Sequence, residues 1–163
     1  MKKKLEYVQK ILDKALNVLA TILFFGIFFV VLLQVVMRYC LNLPLAWSEE
    51  LARYLFIWIS FIGWVFATRS GTHIRIGAIV DNLPGPAKKA IGSLNYLLTI
   101  IFACVMTYYG FIMLQKNLDV PTVTLFFTYA VVYVAAPFSS VLIIFYTLSK
   151  FITGMQDMGG TLS

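Results

Sequence analysis

A chain of 163 residues, 61% of them hydrophobic and 12% charged, with a mean hydropathy of +0.88, is not a soluble globular domain, in which charged residues make up about a quarter. The formal net charge of +6 does not call for nucleic acid, because the basic residues gather at the ends of apolar runs long enough to cross a bilayer. Two cysteines, Cys40 and Cys104, and a single histidine, His73, provide no CxxC pair, no metal spacing and no paired haem ligands, so no cofactor and no metal is expected.

The first fifteen residues form a basic amphipathic segment. Leu5, Val8, Ile11, Leu12 and Ala15 recur at helical spacing, with Lys4, Lys10 and Lys14 off that stripe. Two readings stand: an interfacial helix lying on anionic lipid headgroups, or a solvated extension of the first spanning helix. That first span is expected at about 16–37. It is too long for a signal-peptide core and no small-x-small site follows, so it is expected to remain as an anchor. Gln34 is its one strongly polar residue, and Arg38 and Tyr39 stand where a headgroup anchor belongs.

Asn42 and Pro44 break the chain before a second span at about 46–68. The stretch Trp47–Pro84 organises the rest of the chain. Glu49 and Glu50 open the second helix, where its dipole favours negative charge. Arg53 follows at i+4 from Glu49 and i+3 from Glu50, within reach of both on one face. Charges at the head of a spanning helix are costly and mark a partner or a pathway. They form either a self-neutralised interfacial cluster or a docking site for another protein. Arg69 to Lys89 is the longest connection, punctuated by Gly71 and Pro84-Gly85-Pro86, and His73 within it has no second metal ligand nearby.

The third span is expected at about 90–114, with Asn95, Thr99 and Thr107 as its polar positions and Tyr108–Tyr109 as an interfacial belt. The fourth is expected at about 122–151, kinked at a mid-helix Pro137, with Ser139 and Ser140 placed to satisfy the freed carbonyl. Residues 152–163 read as a polar cytoplasmic tail. With the N-terminus inside, Lys2, Lys3, Lys4, Lys10, Lys14, Arg69, Arg75, Lys88, Lys89 and Lys150 are cytoplasmic, and only Arg38 and Lys116 lie outside. This positive-inside bias gives an all-α membrane protein of four transmembrane helices with both termini in the cytoplasm.

The order Arg38, Trp47-x-Glu49-Glu50-Leu51, Trp58…Phe61-x-Gly63, Arg69-x-Gly71-x-His73-Ile74 and Leu83-Pro84, with Pro137 in the last helix, resembles the small membrane subunit of the tripartite ATP-independent periplasmic (TRAP) transporters. The resemblance covers most of the chain and is tightest from Arg38 to Pro84. It implies a bacterial inner-membrane protein without enzymatic activity. Such a protein braces a large membrane subunit that carries sodium and substrate, and helps dock a periplasmic substrate-binding protein. The cargo implied is an organic acid of the sialic acid or C4-dicarboxylate class. Lipids and these two proteins are the expected partners. Arg38, Trp47, Glu49, Glu50, Arg53, Gly63, Arg69 and His73 are the candidate structural or partner-interface residues, and no catalytic, metal or substrate-binding residue is expected.

The residues themselves agree with a bracing role. Transport sites near the midplane are built from paired broken helices, and this chain has one mid-helix proline and no charge inside spans one, three and four. Two alternatives carry different requirements. An autonomous four-helix exporter needs a proton-carrying carboxylate, yet Glu49 and Glu50 lie near a helix head beside Arg53. A membrane redox-enzyme anchor needs cysteine or histidine pairs that are not there.

Overall fold

The computed structural model describes residues 2–70 and 85–159, with side chains from 7–70 and 91–150. The connection carrying His73 and the end of the tail therefore lie outside the described residues. Among those described, the chain is helical: α1 (Lys2–Cys40), α2 (Ala46–Ser70), α3 (Gly85–Lys116), the single turn α4 (Ala130–Tyr133) and α5 (Ala135–Gly159). Four stretches, Tyr7–Cys40, Ala46–Ser70, Ile91–Lys116 and Ala130–Lys150, are long and apolar enough to cross a membrane. This is an all-α, four-span membrane architecture.

α1 is one helix of 39 residues, roughly 58 Å at 1.5 Å per residue, against a hydrocarbon core of about 30 Å. The basic N-terminal segment and the first span are thus continuous in backbone. The helix ends where Asn42 adopts φ 54°, a left-handed conformation that asparagine tolerates better than most side chains. There the Leu43 N–H closes back on the Met37 carbonyl at 3.0 Å. Pro44 follows, and α2 starts with Ser48 folding both its N–H and its hydroxyl onto the Leu45 carbonyl, at 3.1 and 2.7 Å.

The fourth span departs from expectation. Residues 122–129 are not helical: Thr122 and Thr128 flank a tight hairpin closed by a bridge between Pro121 and Thr128. Helix resumes only at Ala130 and is interrupted at Val134 before α5. Pro137 consequently sits in the first turn of α5, not mid-helix. A proline there lacks the N–H that would bond back one turn, which is compatible with a helix start and hostile to continuation from α4. Ser140 bonds the Ala136 carbonyl at 2.7 Å, while the buried Ser139 hydroxyl has no partner among the described residues. Neither serine takes the role expected of it: Ser140 reaches a carbonyl of α5's own first turn, and Ser139 reaches none.

The fold comprises two compact units. The first contains residues 1–63 and 112–135, that is α1, the N-terminal two-thirds of α2, the hairpin and α4. Its buried side chains include Leu16, Leu23, Tyr54, Ile62 and Val132. On α1 the inward stripe is narrow: Leu16 and Leu23 are covered, while Phe24, Phe25, Phe28 and Phe29 are exposed, as suits a helix surrounded by lipid or another protein. The second unit contains residues 64–111 and 136–163, with Val65, Ala103, Ile143 and Tyr146 buried. Here Gly110 of α3 lets the Pro137 ring come close: a Cβ on residue 110 would stand 2.9 Å from Pro137 Cδ. The last turn of α2 is held by Lys150, whose ammonium donates to the Thr68 carbonyl at 2.9 Å, a cation satisfying a carbonyl at a helix C-terminus.

Candidate functional site: a buried carboxylate and its hairpin

Within the first unit, polar groups converge at the head of α2. Glu50 is only 8% exposed. The Val123 N–H donates to its Oε1 at 3.1 Å and the Thr124 N–H to its Oε2 at 2.7 Å. The Tyr54 hydroxyl donates to Oε1 and the Thr124 hydroxyl to Oε2 in short contacts. A carboxylate is an acceptor with room for about four such donors, and here both oxygens are taken. Two successive backbone amides aimed at one anion form a small anion-binding concavity, so the hairpin tip serves as a receptor for a side chain of α2.

The hairpin is preorganised for this. The Thr122 N–H bonds the Phe127 carbonyl at 3.1 Å and the Tyr129 N–H bonds the Val120 carbonyl at 3.0 Å. The Thr122 hydroxyl lies 2.8 Å from the carbonyls of both Leu125 and Phe127. Tyr54, one turn beyond Glu50, packs its ring against Phe127 and Tyr129, each at a centroid distance of 6.0 Å. Further along α2, the Trp58 indole N–H donates to the Val131 carbonyl at 3.0 Å. Three side chains on one face of α2, at i, i+4 and i+8, therefore fasten the hairpin and α4. Between them lies an apolar groove of about 260 Å³ lined by residues including Leu19, Leu23, Leu55, Phe127 and Val131.

The expected Glu49/Glu50/Arg53 cluster does not form. Arg53 is exposed and makes no ion pair or hydrogen bond among the described residues. The spacing does allow the contact, but Glu50 is directed to the hairpin, whose four donors occupy it fully. Glu49 is exposed and has one long contact, from Gln34 Nε2 at 3.4 Å. Glu50 is thus bound within the first unit, and Glu49 and Arg53 are exposed. Trp47 and Arg38 are also exposed. Gly63 has open space where a Cβ would be. Arg69, in the second unit, places its guanidinium 5.7 Å from the Phe66 ring centroid. His73 lies outside the described residues.

Thr124, Thr122 and the Trp58–Val131 link were not singled out from the sequence. The sequence signal that could have found them is the Pro121–Thr128 run, rich in β-branched residues behind a proline, although the expected span starts at about 122. Among the described residues no group of His, Cys, Asp and Glu side chains gathers into a metal-sized cluster.

Comparison with known proteins gives a consistent result. Residues 27–157 match the family described as tripartite ATP-independent periplasmic transporters, DctQ component. The chain is 25% identical over 160 residues to the sialic acid TRAP transporter small permease protein SiaQ of Vibrio cholerae, covering 98% of this chain and 92% of that one. It is 35% identical over 77 residues to the ectoine TRAP transporter small permease protein TeaB of Halomonas elongata, covering 47% and 40%. It is also 30% identical over 102 residues to the sialic acid TRAP transporter permease protein SiaT of Haemophilus influenzae, covering 63% of this chain and 16% of that protein.

Proposed function

The chain belongs to the DctQ component family of the tripartite ATP-independent periplasmic transporters, and from that membership we propose that it is the small auxiliary subunit of a sodium-coupled importer of an organic acid, of the sialic acid or C4-dicarboxylate class. Members of this family are transporter components, not enzymes, and this one is a multi-pass protein of the bacterial inner membrane with a large membrane partner. In our reading it braces that large subunit, contributes to docking the periplasmic binding protein, and keeps both termini in the cytoplasm.

The observation that carries the bracing role is the fate of the polar residues at the head of α2. The buried carboxylate, the feature a proton- or ion-carrying site would need, is consumed by four donors of the protein's own hairpin. What remains outward-facing is Glu49, Arg53, Arg38 and Trp47, together with the open surface over Gly63. Small residues let a neighbouring helix approach closely, and polar groups at a few positions fix its register. We therefore assign these residues to the contact with the large subunit, held mainly by helix packing. Relatives named for sialic acid and for ectoine share the family, which fits cargo being selected elsewhere in the complex.

Co-expression with a large membrane subunit of this transporter family, followed by purification through a tag on one of them, tests this reading. A stoichiometric complex is expected, with its yield cut by Gly63→Leu. Recovery of this chain alone, free of the large subunit, would reject it.

A further inference from the structure

The hairpin clamped by Glu50 displays two apolar side chains that the clamp does not use. Phe126 is 101% and Val123 81% exposed, while their neighbours Thr122 and Phe127 turn inward. A bare phenylalanine and valine on a loop tip are not accounted for by water.

The clamp also sets where the tip lies. Glu50 is four residues into α2, which begins at Ala46, so it stands about 6 Å inside the start of that span. A loop whose Val123 and Thr124 amides are bound to that carboxylate is folded back alongside the first turns of that span. Part of its backbone is satisfied within the protein: the N–H groups of Thr122, Val123, Thr124 and Tyr129 are paired, which lowers the cost of bringing them near a low-dielectric region. Asp119 and Lys116 are the only charges between the end of α3 and the start of α4, and both precede the tip. Tyr129 and Tyr133 follow it, residues typical of the headgroup level.

We propose that the hairpin 120–129 is a membrane-interface anchor, with Phe126 and Val123 inserted among phospholipid acyl chains just below the headgroups, at a depth set by Glu50. The inference stands whether or not the chain serves a transporter, because it rests on the first unit alone. A soluble docking partner is disfavoured by the lack of charge at the tip, since charge complementarity is what steers and registers such encounters.

The test uses the full chain in phosphatidylethanolamine/phosphatidylglycerol liposomes, with Cys40 and Cys104 changed to serine. A polarity-sensitive fluorophore is attached at Phe126→Cys, at Val123→Cys and, as the aqueous reference, at Asp119→Cys. Labels at 126 and 123 are expected to emit at shorter wavelength, to be quenched by lipids carrying a nitroxide near the headgroup, and to be quenched by iodide several-fold less than at 119. Co-reconstitution with the large subunit should leave the lipid quenching in place. Iodide quenching at 126 and 123 equal to that at 119 would put the tip in water and overturn the proposal. Loss of lipid quenching on adding the large subunit would put it against protein and overturn it equally. Adding Thr124→Val, which removes one donor to the clamp, should raise iodide access at 126. Unchanged access in both Thr124→Val and Glu50→Ala would show that the clamp does not set the depth.

Discussion

Glu50 and Glu49 are adjacent carboxylates with opposite circumstances, and substitution should separate them. Glu50→Ala strands the Val123 and Thr124 amides and the Tyr54 hydroxyl, and unsatisfied buried donors are more costly than the bonds are worth. Glu50→Gln does little better, because its amide nitrogen must face one set of donors. Both should lower the thermal midpoint of the detergent-solubilised chain by several degrees and open the 120–129 hairpin to protease. Glu49→Ala, which loses one long contact, should leave both readouts at wild-type values. Equal sensitivity at the two positions would contradict the clamp. Arg53→Ala should leave the stability of the isolated chain nearly unchanged, since Arg53 is exposed and makes no ion pair or hydrogen bond among the described residues, yet should reduce recovery of the two-subunit complex several-fold. Sequence reasoning reached Glu50 through its costly position, and missed its partner because Thr124 is 74 residues away. The local i+3 spacing pointed to Arg53, and nothing in a linear pattern reveals a pair of backbone amides arranged by a distant turn.

At the scale of elements, the spans themselves were legible because long apolar runs and breakers such as Asn42 and Pro44 are local signals. α2 ends at Ser70 and α3 at Lys116. The start of the fourth span was not legible. Val123, Leu125, Phe126 and Phe127 read as the first turns of an apolar helix, whereas Thr122 captures two carbonyls and closes a hairpin. That late start moves Pro137 into the first turn of α5, against Gly110 of α3. Gly110→Ala would place a methyl group 2.9 Å from Pro137 Cδ and 3.2 Å from its nitrogen. A ring anchored in backbone yields little, so overpacking should destabilise the chain by about 1–3 kcal/mol, read as a lower thermal midpoint. Gly92→Ala, with open space around it, should be neutral or slightly stabilising through helix propensity. A harmless Gly110→Ala would mean that α3 and α5 do not pack at this point.

For the whole molecule, we propose the orientation from charge. In a four-span chain the connections holding Arg38 and Lys116 fall on one side in sequence order, and the N-terminal lysines, Arg69 and Lys150 on the other, so the first side should be periplasmic. A cysteine at Asn117 in a cysteine-free background should react with an impermeant thiol reagent on intact spheroplasts. Reaction only after the inner face is opened would invert the topology. The division of labour between subunits is the larger matter. In our proposal, a protein whose buried Glu50 carboxylate is bound by its own loop, with Glu49 and Arg53 exposed at the same helix head, holds another protein and does not carry the solute itself. The direct measurement is sodium-driven uptake into proteoliposomes with the cognate loaded binding protein, comparing this chain alone, the large subunit alone and the two together. Uptake by the pair, none by this chain and a severe loss by the large subunit alone are the predicted results. Sodium-driven uptake by this chain by itself, or full uptake by the large subunit without it, would contradict the account.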